Sequence, residues 1–548
     1  MSLSQAVLND FKLNCSNVDG NIAGQFRLDF AEIDYGDKKH PITSYTSGIY
    51  IFEDIDVAGV SGWLEMSDMD NLISAYYDEK EKGVGGHAIV GQELLRLKFR
   101  TNGSHLPVDF QDHPLCIHKV ENLTAMGTGA KSASTAITYR IHFCSPEVLN
   151  NDRIRISQSY EDSLENIVKS ILTDHLKTKK DMWLEPTDGV WKITIPNMHP
   201  FDAIQMILEN ARSKDKIWSN FNFYETTKGF RFKSKYIGHT SSRDREASHH
   251  GGIDSLNDDW QLRISIEPTA TSGNYYKDMI TAKNYKFLKL GDTYTAIKDG
   301  LLASKTIQHN TYNKGYNVKA ATYLTDSKKM PAVQRLPGIE TNRLNHYVRG
   351  KTSTFINEGA VYVSDGTQLA TQTPFEKSVT FTEFPDSRIN FYSTGTKHTH
   401  DHLPDPHGAG GKVTTGSITD DDPLQFNFRQ MQQRHDRYLQ LQIVIHGFSG
   451  LQVGDSITLD VPTTGSQAQS DAGWDPRFSS DTFYITRLVH RIDVNSANGY
   501  ECVLDISPMK GGRDPIPAGG KHNRKSDQGP KQAVINQRRQ RERNQEAD

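Results

Sequence analysis

Apolar and polar residues alternate with period two over much of the first 150 positions. Phe26-Arg-Leu-Asp-Phe30, Leu95-Arg-Leu-Lys-Phe-Arg100 and Thr138-Tyr-Arg-Ile-His-Phe143 show it most plainly. Successive side chains of a strand point to opposite faces, so the pattern predicts strands with one buried face. Gly, Asp and Asn interrupt the runs, and Arg100–Ser104 carries an Asn-Gly turn signal. A half-solvated antiparallel β-domain is expected over 1–150.

The period changes after Pro146. Leu164, Ile167, Val168, Ile171, Leu172 and Leu176 fall at helical spacing, and Asp162 with Glu165 is placed as a capping pair. A strand at Trp191–Ile195 follows, then a helix opened by Pro200 with Ile204, Ile207 and Leu208 on one face. Phe221–Tyr224 and Gly229–Phe232 read as a hairpin. These pieces predict a compact α/β module over 151–236.

Residues 237–262 form a polar insertion, and strand-like text resumes near Leu262 and runs to about 345. The stretch 346–424 reads as an inserted accessory region, with a strand at Gly359–Val363 and a loop rich in His, Pro and Gly over Gly395–Gly411. From 425 a polar helical run leads into strands at Leu441–Ile445, Ile457–Leu459, Phe483–Ile492 and Tyr500–Ile506. Strand-like text thus lies in 237–345 and again in 425–510, the latter closing a C-terminal β-domain. The first β-domain ends in Ser145-Pro146 and this one in Ser507-Pro508, each closing a final strand, although the two alternations are out of phase by one residue. The fold class that results is β-rich α+β.

Length and charge sharpen this outline. At ~100–200 residues per domain, 548 residues predict three to five domains. Lys and Arg number 63 against 67 Asp and Glu, a net charge of −4. From residue 509 onward there are ten Lys/Arg and five Asp/Glu, so the tail carries +5 and the preceding 508 residues −9. Almost nothing in 511–548 can be buried, and a disordered basic tail is expected there. The longest apolar runs, Ile49–Phe52 and Ala360–Val363, have four residues, far short of the ~18 that a membrane span requires. The start, MSLSQAVLNDF, has no basic and apolar leader, so no secretory signal is expected.

Candidate chemistry is sparse. Cys15, Cys116, Cys144 and Cys502 lie far apart and form no CxxC. In Ala125–Ser132 (AMGTGAKS), alanines stand at both glycine positions that a phosphate loop needs, which favours a hairpin tip. Gly83–Gly91 reads as a flexible loop, and His249 with His250 as a surface pair. His398, His400 and His402, with Asp401, Asp405 and His407 nearby, form the one metal-like cluster, since alternating residues of an extended strand put three imidazoles on one face. The bland alternative for this cluster is a solvated polar loop. No hydrolase, zinc-protease or paired-carboxylate signature stands out, so no catalytic residue and no cofactor is assigned and the chain is expected not to be an enzyme.

Several stretches resemble a known family. Thr138 to about Ser234 carries Ser145/Glu147, the strand Ile156–Tyr160, Pro200–Ile204 and the hairpin Phe223–Phe232 in a specific order, and Gly300–Lys314 adds a second patch. Together they look like the central baseplate hub protein of T-even-like contractile-tail phages. Leu441–Leu459 and Tyr484–Leu504 are similar to the wider tail-hub group that includes VgrG and the late-control D proteins. The matches cover roughly a third of the chain.

The resemblance implies two similar β-barrel, tail-tube-like domains (1–150, and 237–345 with 425–510) around the α/β module, and a homotrimer whose six tube domains form a pseudo-sixfold ring. It implies as partners a trimeric central spike, a tail tube or tube-initiator protein, a tape-measure protein and baseplate wedge proteins, with DNA only in transit through the lumen. The location implied is the virion's tail baseplate, assembled in the bacterial host cytoplasm. An alternative is a hub with a cell-wall hydrolase built into 346–424. A spike carrying its own needle would need a Gly-rich repetitive tail after Pro508, and the sequence has none.

Overall fold

The computed structural model describes residues 20–36, 39–68, 76–78, 83–85, 89, 91–126, 136–214, 220–234, 262–265, 275–289, 291–310, 316–323, 388–394, 422–460 and 481–510. The chain divides into two units, and all of these residues belong to the one made of Met1–Gln334 and Phe381–Gly512.

The described unit is β-rich with few helices. The N-terminal strands are β1 (Phe26–Asp34), β2 (Lys39–Pro41), β3 (Thr46–Asp54), β4 (Ser61–Asp68), β5 (Tyr76–Asp78), β6 (Gly83–Gly85), β7 (Leu94–Thr101), β8 (Val108–Asp109), β9 (Leu115–Met126) and β10 (Ala136–Cys144). Then come α1 (Pro146–Arg153), β11 (Ile156–Asp162), α2 (Leu164–Ser170), β12 (Met182–Leu184), β13 (Trp191–Met198), α3 (Pro200–Leu208), β14 (Phe221–Thr226) and β15 (Gly229–Ser234). The rest is β16 (Leu262–Ser265), α4 (Tyr275–Met279), β17 (Asn284–Lys289), α5 (Thr293–Asp299), β18 (Ala303–Asn310), β19 (Tyr316–Thr322), β20 (Ile389–Thr394), α6 (Asp422–Asp436), β21 (Gln440–His446), β22 (Ser456–Asp460), β23 (Asp481–Asp493) and β24 (Tyr500–Lys510).

Fourteen strands join in one sheet with the path β17-β21-β24-β23-β3-β4-β10-β9-β7-β1-β2, with β22 on β23, β16 on β22 and β8 on β7. The path contains the same motif twice. Take β1, β3, β4, β7, β9 and β10 as one set and β16, β17, β21, β22, β23 and β24 as the other. Ranked along the chain, both lie side by side as second, third, sixth, fifth, fourth, first. The difference is at the end: β1 meets β7 antiparallel, whereas β16 meets β22 parallel.

A bulge repeats too. His118 is the extra residue of β9 between Ile117↔Phe143 and Lys119↔His142, and Thr486 is the extra residue of β23 between Ile485↔Ile506 and Arg487↔Asp505. With the bulges aligned, Phe143 corresponds to Ile506, and Ser-Pro follows one residue sooner in the second copy. That is the phase offset of the sequence. Pro508 does not close its strand as expected: β24 runs on to Lys510, with Pro508 opposite Phe483 beside a register shift. Its other neighbour, β21, pairs only as far as Ile506, so no ladder bond needs a Pro508 N–H.

Inside the α/β module the predicted stripe is buried, with Leu164, Ile167, Val168, Ile171, Leu172 and Leu176 at most 2% exposed, packed on α3 and on Phe221, Phe223, Phe230 and Phe232. The capping pair does not form. Ser163 is the N-cap, Asp162 accepts from the Ser163 and Asn166 nitrogens, and Glu165 accepts the Thr187 N–H at 3.0 Å. The helix then loosens into a π-turn over Ile171–His175. Gly83–Gly85, expected as loop, is paired with Tyr76–Asp78.

Candidate assembly interface

The two strand sets meet at β3 and β23. Seven antiparallel pairs, from Asp54↔Arg487 to Gly48↔Asp493, zip the edge of the first set onto the second. On the inner face Ile49, Ile51, Leu488 and Ile492 are 0% exposed. The junction is thus a continuous β-ladder with its own buried stripe.

The outer face of the same strands is wet and aromatic. Trp63 stacks on Tyr50 at 5.0 Å and touches Phe52 at 4.8 Å, with the Arg140 and Arg487 guanidinium groups over Trp63 and Phe52. Basic side chains on this face have carboxylate neighbours: Arg140–Glu65 at 2.8 Å, Lys119–Glu121 and Arg491–Glu501 at 3.9 Å, and the His142 ring lies 2.7 Å from Glu121. Half-exposed pairs of this kind add only about 0.2–1 kcal/mol each to stability. Their larger effect is to leave the face without a block of positive charge.

Two buried carboxylate clusters pin the module to this junction. Glu53, at the end of β3 and 0% exposed, accepts the Thr227 N–H at 2.8 Å on one oxygen and the Val453 N–H at 3.0 Å on the other. One side chain therefore ties β3 to the β14–β15 turn and to the loop before β22. Burial pushes its carboxyl up to about 7, against those two backbone bonds. Asp455, in the same loop, is pushed up to about 6 by desolvation, although it accepts the Gln452 N–H. Next to Val453, Gly454 has φ +91°, and a Cβ there would collide with the Tyr224 hydroxyl.

In the second cluster Lys180 donates to Glu147 and to Glu225, both at 2.6 Å, and Glu225 also accepts the Val60 N–H at 3.0 Å. All three side chains are buried. Desolvation works against the charge on Lys180, but Glu225 and Glu147 outweigh it and hold its pKa up. Burial raises Glu225. This triad joins α1, the module and the turn between β3 and β4.

Of these buried ionic residues the sequence singles out Glu147 alone, in the Ser145/Glu147 feature; Glu53, Lys180, Glu225 and Asp455 are not singled out by pattern reading. The metal candidates, His398, His400 and His402, lie outside the described residues, as do Asp401, Asp405, His407, His249, His250, Cys15 and the glycines of the phosphate-loop look-alike. Among the described residues no group of three His, Cys, Asp or Glu could hold a metal ion. Cys116, Cys144 and Cys502 are free thiols, with Cys116 opposite Cys144 in the β9–β10 register. Among the described residues no helix is long and apolar enough to cross a membrane.

No protein-family signature and no curated protein matches the chain. Solved structures that align with it include tail and secretion-system proteins. The 43 kDa tail protein of prophage MuSo2 from Shewanella oneidensis aligns over 88% of this chain and 98% of its own, at 8% identity and a TM-score of 0.41. A tail protein from Neisseria meningitidis MC58 aligns over 88% and 96%, at 9% identity and 0.42. An E. coli type VI secretion component, itself similar in structure to T4 bacteriophage tail proteins, aligns over 90% and 80%, at 9% identity and 0.34.

Proposed function

We propose that this chain is the structural hub of a contractile-tail baseplate, a homotrimer whose ring joins the hexameric tail tube to a trimeric central spike. The observation that supports this most is the strand order repeated within one chain and joined edge to edge through β3 and β23. A chain with two like units in head-to-tail contact makes a trimer with six like units around its axis. One face of such a ring meets sixfold symmetry and the threefold relation of the chains remains for a trimeric partner. In this reading 1–150 and 237–345 with 425–510 are the tube-like units, 151–236 the module between them, 346–424 an inserted accessory region and 511–548 a basic tail.

The tube or tube-initiator protein, the tape-measure protein and the wedge proteins are the further partners in the virion's baseplate, assembled in the host cytoplasm. DNA passes through the lumen without being held. Phosphate contacts by unpaired Lys and Arg give strong sequence-independent affinity, and the paired charges outside β3, β4, β9, β10 and β23 suit a surface that must not bind it. The role is structural, with no catalytic step. Native mass measurement of the purified chain, alone and with its spike, tests the reading: a trimer is expected, and a monomer at micromolar concentration under both conditions contradicts it.

A further inference from the structure

Among the sheet edges left unpaired in the described residues, two belong together. β17 ends the strand path on one side. β9 is laddered to β10, but on its other side it meets β7 only at Leu115 and Cys116, which leaves the stretch from Lys119 to Met126 open. These are not arbitrary edges. In the repeated strand order β17 holds the place of β3, and β9 holds the place of β23. The pair used once inside the chain is thus left over, one strand in each set.

Burial shows the same gap. Ile49 and Ile51 of β3, opposite Leu64 and Gly62 of β4, are 0% exposed because β23 covers them. Their counterparts Tyr285 and Phe287, opposite Ile443 and Leu441 of β21, are only half-buried, although they form an edge-to-face aromatic pair at 6.2 Å. On the partner strand Leu488 and Ile492 are 0% exposed. Val120, the counterpart of Leu488, is half-buried, and Thr124 is exposed. An open β-edge with apolar residues beside it is an aggregation hazard that proteins normally cover.

We propose that β17 of one copy pairs antiparallel with the Val120–Met126 stretch of β9 in a second copy, repeating between chains the β3–β23 junction made within one. This rests on the hub reading above and names its subunit contact. Transferring Ile51↔His490 and Ile49↔Ile492 onto the equivalent strands puts Phe287 opposite Asn122 and Tyr285 opposite Thr124 or Ala125, the choice depending on the register shift of β9 near Thr138. The two edges differ, so the contact is heterologous: each chain offers β17 to one neighbour and β9 to the other, and the assembly closes as a ring.

The test is a cross-link in the full-length chain. Directly opposed strand residues lie close enough for a disulfide, so Tyr285→Cys is combined with Thr124→Cys or Ala125→Cys and oxidised with copper phenanthroline. Expected is a denaturing-gel ladder that ends at the mass of the native assembly, from one of the double variants and from neither single variant. A control pairs Tyr285→Cys with Glu65→Cys, which sits on the outer face away from both edges and should give no ladder. In parallel, Lys286→Pro, which breaks the ladder of β17, should abolish assembly while leaving the thermal transition of a folded chain. If the wild type assembles but neither double variant links above the control, or Lys286→Pro still assembles, this contact is wrong and the hub reading survives. If the wild type never assembles, both fall.

Discussion

The carboxylate of Glu53 accepts the backbone N–H of Val453 at 3.0 Å, although 400 positions separate them along the chain. The other oxygen holds Thr227 of the module, so a single β3 side chain fastens three parts of the fold. Its stabilisation depends on pH in a definite direction. The folded carboxyl titrates near 7, above the usual 4.5, so the folded state binds this proton more tightly than the unfolded one. The stability it confers is fully present below about 4.5 and is lost as pH rises through 7, by up to roughly 3 kcal/mol. Glu53→Gln removes this dependence. The difference in melting temperature between Glu53→Gln and wild type should shift in the variant's favour from pH 5 to pH 8, and a difference constant across that range contradicts the account.

His490 and His446 act in the opposite sense. Burial holds them neutral, with values pushed down to about 3 and about 4, and His490 bonds the Tyr500 hydroxyl at 2.8 Å. Stability from these groups is present above about 6.5 and lost as pH falls towards those values. The fold should therefore loosen steeply below pH 5, and His490→Gln should blunt the acid transition seen by near-ultraviolet circular dichroism.

Lys180→Met leaves Glu147 and Glu225 facing each other without a cation. Breaking one member out of a buried ionic cluster costs about 3–5 kcal/mol. Adding Glu147→Gln and Glu225→Gln to Lys180→Met should recover much of the loss in denaturant melts, because no buried charge is then left uncompensated.

Gly454→Ala should destabilise by about 2 kcal/mol or more, since the left-handed backbone and the close Tyr224 hydroxyl both oppose a Cβ. Gly454→Ala combined with Tyr224→Phe tests the steric part: relief in the double variant is expected.

The outer face should leave DNA alone. Duplex DNA mixed with the wild-type protein at about 50 mM salt should show no mobility shift, while Glu65→Lys with Glu121→Lys should produce one that vanishes as salt rises.

Much of the fold is legible in the sequence where the physics is local. Alternation marks β1, β7 and β10, and the Leu164–Leu176 stripe marks the core of the module. The capping pair fails because Thr187, distant in sequence, takes Glu165. Pro508 misleads because it stops a strand only where a neighbour needs its N–H. The β3–β23 junction is beyond any local pattern, since strand order is set by pairings hundreds of residues apart. The buried carboxylates did leave a trace. Glu53 falls on the inward parity of Ile49 and Ile51, and Glu225 on that of Phe221 and Phe223. A charged residue on a buried parity at a strand end marks a place where another part of the chain must supply hydrogen bonds.

The central claim is that the repeated strand order builds a ring. Two-dimensional class averages of the purified full-length chain by electron microscopy test it most directly. A closed threefold ring with six lobes of similar size is the result expected. Isolated particles of single-chain mass, or an open filament, would contradict it.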